Sequence, residues 1–241
     1  MSVLFEELDY RPTPIGALSL RRRREMSLGV DVFEIILGDE HLMSSLFTTS
    51  EISLARLGLA GLAGGALDVV VGGLGLGYTA NAVLEEKAVR SLIVVEALDA
   101  VVEWHETGLL PLGKILTNDS RCQLRLGDFF ALASSAEGFD ADEPGRRFDA
   151  ILVDIDHSPD ALLDPQNAGF YQAESLQRFA GHLNPGGVFG LWSDDRPDDG
   201  FTERLAGVFA TARAKPVTFH NPLQNRDFTQ TVYIATTAVQ T

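Results

Sequence analysis

Residues 69–77 read Val-Val-Val-Gly-Gly-Leu-Gly-Leu-Gly, and this segment constrains the fold more than any other. A run that is apolar at every position belongs to a strand buried on both faces, as in a parallel sheet covered by helices. Its break into glycines ahead of a helix starting around Tyr78 makes a turn that a ligand can approach closely, with unpaired helix N–H groups beside it. The wider apolar stretch Leu57–Leu84 contains Asp68 and eight glycines, so it reads as a buried strand followed by a glycine loop rather than a membrane span.

The same rhythm continues along the chain. Strands are predicted near Leu67–Val71, Ser91–Glu96, Cys122–Leu126, Asp149–Asp154 and Gly187–Trp192, each followed by a segment able to form a helix. The clearest helix starts at Phe170, with Ala173, Leu176, Phe179, Ala180 and Leu183 in phase, and Asn184-Pro185-Gly186-Gly187 ends it. A further helix is expected over Thr202–Thr211, then a closing strand pair from Pro216–Phe219 and Phe228–Thr236. Ahead of this, Ile15–Leu20 and Val30–Leu37 form a β-hairpin whose solvated end is the polar segment Arg21–Gly29. The expected division is a small N-terminal β-hairpin domain, 1–60, and an α/β Rossmann-like domain, 61–241.

Charge narrows the partner. A net charge of −15 opposes nucleic acid or an anionic membrane and favours a cationic substrate. The single cysteine, Cys122, falls within a predicted strand as an inert thiol, and together with an acidic rather than basic N-terminal segment it suggests a cytoplasmic address. Asp154, Asp156 and His157 match no recognised ligand spacing, so no metal is expected. No G-x-S-x-G elbow occurs, and the five histidines form no ordered triad signature.

Four carboxylates fall where an α/β sheet binds ligands. Glu96 ends a strand 19 residues beyond Gly77, a spacing that suits a ribose-binding acid. Asp128 follows the next strand and can face an adenine amine or cap a helix. Asp154 terminates the strand beside the switch point, and Asp156 lies two residues into a loop that runs past Asp160 and Asp164 to Gly169, polar and long enough for a lid.

In this order the motifs resemble the spermidine synthase-like family of polyamine aminopropyltransferases, a branch of the class I AdoMet-dependent methyltransferase fold. The residues that carry the resemblance are Gly38-Asp39-Glu40, the GGLGLG loop, Val95-Glu96, Gly127-Asp128, Phe148-Asp149, Val153-Asp154, Phe170-Tyr171 and Leu183–Gly187. It implies a seven-stranded sheet with an antiparallel last strand, a small β domain in front, and a homodimer. It further implies that Gly73, Gly75 and Gly77 line the donor, Glu96 holds its ribose, Asp128 faces its adenine, Asp154 is catalytic and Asp156 supports the acceptor. The donor is decarboxylated AdoMet or AdoMet, used as a co-substrate with no cofactor tightly bound, and the acceptor is a small amine. Departures stand at Leu76, where the family's GGGDG loop has its aspartate, and at Met43 and Ser44, where it has tyrosine and glutamine. A methyltransferase or a non-catalytic nucleoside-binding homologue on the same scaffold remains the alternative.

Overall fold

The computed structural model describes residues 4–13, 16–62 and 64–239; of the predicted hairpin, Ile15 lies outside the described residues. The N-terminal strands β1 (Phe5–Thr13), β2 (Gly16–Glu25), β3 (Val30–Leu37) and β4 (Glu40–Ser44) form an antiparallel sheet in that order. The expected hairpin is its centre. Arg21–Arg24 do not form the hairpin end: they belong to β2, and the turn is Met26–Gly29. Each arginine meets an acid across the sheet, Arg21 with Glu7 at 3.7 Å, Arg22 with Glu6 at 2.7 Å, Arg23 with Glu34 at 2.9 Å and Arg24 with Asp31 at 3.1 Å, which makes a strand out of a run that looks like a solvated loop.

Next come α1 (Thr49–Leu59), β5 (Leu67–Gly72), α2 (Tyr78–Glu85), β6 (Val89–Glu96), α3 (Asp99–Thr107), α4 (Gly113–Asn118), β7 (Cys122–Leu126) and α5 (Phe129–Ser134). The chain closes with β8 (Phe148–Val153), α6 (Ala173–Phe179), β9 (Leu183–Ser193), α7 (Asp199–Ala206), β10 (Thr211–Asn221) and β11 (Arg226–Thr236). The second sheet has seven strands in the order β10-β11-β9-β8-β5-β6-β7, with β11 antiparallel to both of its neighbours. This is the seven-stranded class I arrangement that the resemblance implies.

Alternation along the buried strands divides the core between the two faces. Val69, Val71, Leu92, Val94, Ala150 and Leu152 pack with α1, α2 and α3 and with Leu18, Leu20 and Ile35 of the small sheet. Val70, Ile93, Val95, Ile151 and Val153 pack with a phenylalanine-rich layer from α5, α6 and α7. The small sheet is further fastened by Trp104, whose Nε1–H donates to Asp9 Oδ2 at 2.6 Å.

Helix α1 falls within the expected hairpin domain, and β5 begins at Leu67 as expected. Three boundaries differ from expectation. The helix predicted from Phe170 starts at Ala173, because Gln172 is extended (φ −83°, ψ 148°), while Phe170 and Tyr171 bury their rings edge-on against Phe130. Leu183–Gly187 open β9 instead of ending that helix, and Thr211 opens β10 after α7 has stopped at Ala206. Pro216 sits within β10, where the edge position leaves its missing N–H without consequence. Among the described residues no helix is long and apolar enough to cross a membrane.

Candidate active site

Strand register builds the site. Gly72 pairs with Val95 on one side and with Val153 on the other, so the next residues, Gly73, Glu96 and Asp154, leave the sheet side by side. Gly73 N–H donates to Val95 O at 2.9 Å, and Asp154 N–H donates to Gly72 O at 2.8 Å. Glu96 pairs with Leu126, which brings Gly127 and Asp128 to the same edge. Because the chain leaves β5 toward β6 and β7 on one side and later adds β8 and β9 on the other, a crevice opens here. It holds a cavity of about 330 Å³ lined by Gly73, Gly75, Glu96, Asp128 and Asp154, roofed by Ile35, Leu37, Leu42 and Met43 of the small sheet.

The glycine loop is shaped by close approach. Gly73 has φ +92°, and a Cβ there would stand 2.0 Å from the carbonyl oxygen of Asp154. Gly73→Ala therefore combines left-handed strain of about 1–3 kcal/mol with a backbone clash; we expect a lower Tm and loss of nucleoside binding, read by melts and titration. Gly75 has φ +48° and faces Met43 Sδ, 2.8 Å from where a Cβ would be. Gly77 is not on the cavity wall; it packs toward His105 and Leu116 at the start of α2. Leu76, the position matched to the family's loop aspartate, is buried at 2% exposure with its N–H on Met43 Sδ at 3.1 Å; the loop residues on the cavity wall are Gly73, Leu74 and Gly75.

Beneath the loop, His105 Nε2 lies 2.9 Å from Gly75 O, and burial lowers the pKa of the imidazole, so a neutral ring donates Nε2–H to that carbonyl. Glu96 holds the loop from the other side: Oε2 accepts from Leu74 N–H at 3.0 Å and Oε1 from Leu98 N–H at 2.9 Å. Burial raises the Glu96 pKa, and these amides oppose the rise. Asp128 caps α5, accepting from Phe130 N–H at 2.8 Å and Ala131 N–H at 3.3 Å through Oδ1. Of its two readings the helix cap is observed, and the residue also lies on the cavity wall.

Asp154 is half-buried on the opposite wall. Its Oδ2 accepts from the Thr79 hydroxyl at 2.6 Å, and the same hydroxyl lies 3.3 Å from Glu51 O. Glu51 lines the cavity too, from α1, and sequence reasoning missed it. A signal existed: Glu51 is in phase with Leu54, Ala55 and Gly58, the buried face of α1, where a carboxylate is out of place. Burial and the facing Asp154 push the Glu51 pKa up to about 7, and burial pushes Asp154 up to about 6. Folded-state values raised above the ordinary carboxylate values mean that stability is lost as pH rises from about 4 to about 7. Glu51→Gln is therefore expected to raise Tm at pH 8 and to change it little at pH 4, as melts at the two pH values can check.

Asp156 takes a different place from the mobile loop position expected of it. It is 2% exposed, off the cavity wall, with Oδ2 accepting from Tyr171 OH at 2.7 Å and Oδ1 from Leu163 N–H at 2.9 Å. It fastens from within the loop that carries Leu163, Asp164 and Asn167 to the cavity. Asp160 is exposed and does not line the cavity. Cys122 is half-buried in β7, and burial pushes its thiol up to about 12. Among the described residues no group of three or more potential ligands could hold a metal ion.

A second compartment of about 450 Å³ adjoins the first across Leu42, Met43, Glu51, His157 and Trp192 and adds His41, Asp194, Asp195 and Gln230. Among the described residues no lysine or arginine lines either compartment.

No family model matches the chain. Solved structures do. A spermidine synthase from Thermotoga maritima superimposes with a TM-score of 0.73 over 97% of this chain and 74% of that one, at 18% identity. A spermidine synthase in complex with the transition state analogue AdoDATO gives 0.73 over the same shares at 17%. A probable spermidine synthase from Corynebacterium glutamicum gives 0.59 over 95% of this chain and 79% of that one at 16%. The shared feature at this identity is the architecture, and on that ground the chain has the spermidine synthase-like fold.

Proposed function

We propose that the chain is a transferase that takes decarboxylated AdoMet as a co-substrate and passes its aminopropyl group to a small amine. The observation that carries this reading is the charge of the two compartments: Glu51, Glu96, Asp128, Asp154, Asp164, Asp194 and Asp195 line them, with no lysine or arginine. Such a lining favours a sulfonium with an ammonium tail and an amine acceptor, and gives the carboxylate of AdoMet no cationic side chain to meet.

The chemistry needs a proton acceptor, because an alkylamine is protonated and non-nucleophilic at neutral pH. Asp154, which follows β8 directly and is held by Thr79, would take that proton. The freed nitrogen lone pair forms the new C–N bond at the carbon beside sulfur. The C–S pair stays with sulfur, giving methylthioadenosine, and the proton passes from Asp154 to solvent. Glu96 and Asp128 would hold ribose and adenine while this happens, supplying alignment. The homodimer implied by the resemblance belongs to the same proposal and is tested by sedimentation velocity.

Gly75, which gives the glycine loop no carboxylate on the cavity wall, favours a second reading, methyl transfer from AdoMet on the same scaffold. Calorimetric titration with decarboxylated AdoMet, AdoMet and methylthioadenosine, followed by product analysis with putrescine, tests both. An aminopropylated amine supports the first reading, and a methylated product with S-adenosylhomocysteine the second. Binding of none of the three nucleosides removes both.

A further inference from the structure

We propose that Glu51 is the anionic partner of the ammonium at the end of the donor's three-carbon chain, supplying from α1 the charge that the glycine loop lacks. This rests on the aminopropyl-transfer reading. The loop itself offers no anion: Gly75 has no side chain, Met43 Sδ stands over it, and Leu76 points into the core. The wall around it is apolar, with Leu42, Met43 and Leu74, so an ammonium arriving there needs a carboxylate partner from another element.

The remaining acids on the wall are committed. Glu96 has both oxygens engaged by the amides of Leu74 and Leu98, Asp128 caps α5, Asp164 accepts from Gln166 N–H at 2.9 Å, and Asp154 is bonded to Thr79 and reserved for the acceptor's proton. Glu51 differs in each respect. It is 7% exposed, its Oε2 accepts from the Ser50 hydroxyl at 2.7 Å, and it borders both compartments. Thr79, in the first turn of the helix that follows the glycine loop, reaches the Glu51 carbonyl at 3.3 Å and so ties this residue to the donor's side of the cavity. A carboxylate in the buried face of α1, with no lysine or arginine in either compartment to neutralise it, is a cost in the empty protein that a bound ammonium offsets.

The test compares two thioethers, both uncharged at sulfur, at pH 8: methylthioadenosine, and decarboxylated S-adenosylhomocysteine, which replaces the methyl group with the aminopropyl ammonium. Calorimetry on the wild-type chain is expected to show the aminopropyl compound binding about 10- to 100-fold tighter, the range of one charge-assisted hydrogen bond. Glu51→Gln should bring that preference below about 3-fold while methylthioadenosine binds as before. A full preference retained by Glu51→Gln, or a wild-type chain that binds methylthioadenosine with no preference, overturns the assignment. So does a Glu51→Gln variant whose only defect is a raised acceptor KM. Glu51→Asp, which keeps the charge one methylene further back, gives an independent arm: the preference falls but survives, and no change overturns the assignment. A wild-type chain with the preference that yields no aminopropylated amine supports the Glu51 contact and removes the transfer reading, so the two failures are distinguishable.

Discussion

Asp154→Asn is expected to lower kcat for aminopropyl transfer by about 10² to 10⁴, the usual worth of a positioned general base, with donor affinity nearly unchanged. The shape survives the substitution. Asp154 is pinned through its own N–H to Gly72 O, and the asparagine carbonyl can still accept from the Thr79 hydroxyl that now reaches Oδ2 at 2.6 Å. What is lost is the proton acceptor. The pH profile separates this from a structural role. In the wild-type chain kcat/KM falls as pH drops through about 7 and 6, where the Glu51–Asp154 pair takes up protons, and the Asp154→Asn variant loses one of the two steps. Steady-state rates with putrescine from pH 5 to pH 9, beside melts, measure both. Near-normal turnover by a folded variant removes Asp154 from the mechanism.

What the sequence discloses about this site follows from which interactions are local. Gly73, Glu96, Asp128 and Asp154 are legible because each terminates an apolar run, and parallel register then carries every strand end to one edge. Phe170 misleads for the opposite reason. Its spacing to Ala173 and Leu176 imitates a helix face, but the ring is buried by aromatic neighbours on α5 and α6, Phe130 and Phe179, and the backbone at Gln172 stays extended. Arg21–Arg24 read as loop because the acids that make them strand residues lie across the sheet, as Glu6 and Glu34 do. Glu51 stays hidden because the helix that carries it, α1, falls within 1–60, the stretch read as a β-hairpin domain, so the phase that shows a carboxylate on a buried helix face is not looked for there. Leu76 shows the limit of motif matching: its place in the glycine loop is legible in the sequence, while the packing that turns its side chain into the core is not.

The second large effect is expected at Glu96. Glu96→Ala should weaken methylthioadenosine binding by about 10² or more, because it removes ribose hydrogen bonds worth roughly 1.5 to 3 kcal/mol and also the anchor of the loop that contacts the nucleoside. The structure makes this effect larger than a ribose contact alone. Leu74 N–H at 3.0 Å and Leu98 N–H at 2.9 Å both donate to this carboxylate, one from the glycine loop and one from the turn into α3. Truncation leaves two amide donors short of a partner, and Gly75 is then held by His105 alone from below. Glu96→Gln separates the two contributions. Its amide keeps one acceptor oxygen and turns a donor toward one of those N–H groups, so affinity and Tm should both fall part of the way. A merely structural Glu96 would lower Tm in both variants while leaving affinity for methylthioadenosine at the wild-type value below the melt. Titration and melts on the same preparations decide between them, and unchanged affinity in Glu96→Ala rules out the ribose role.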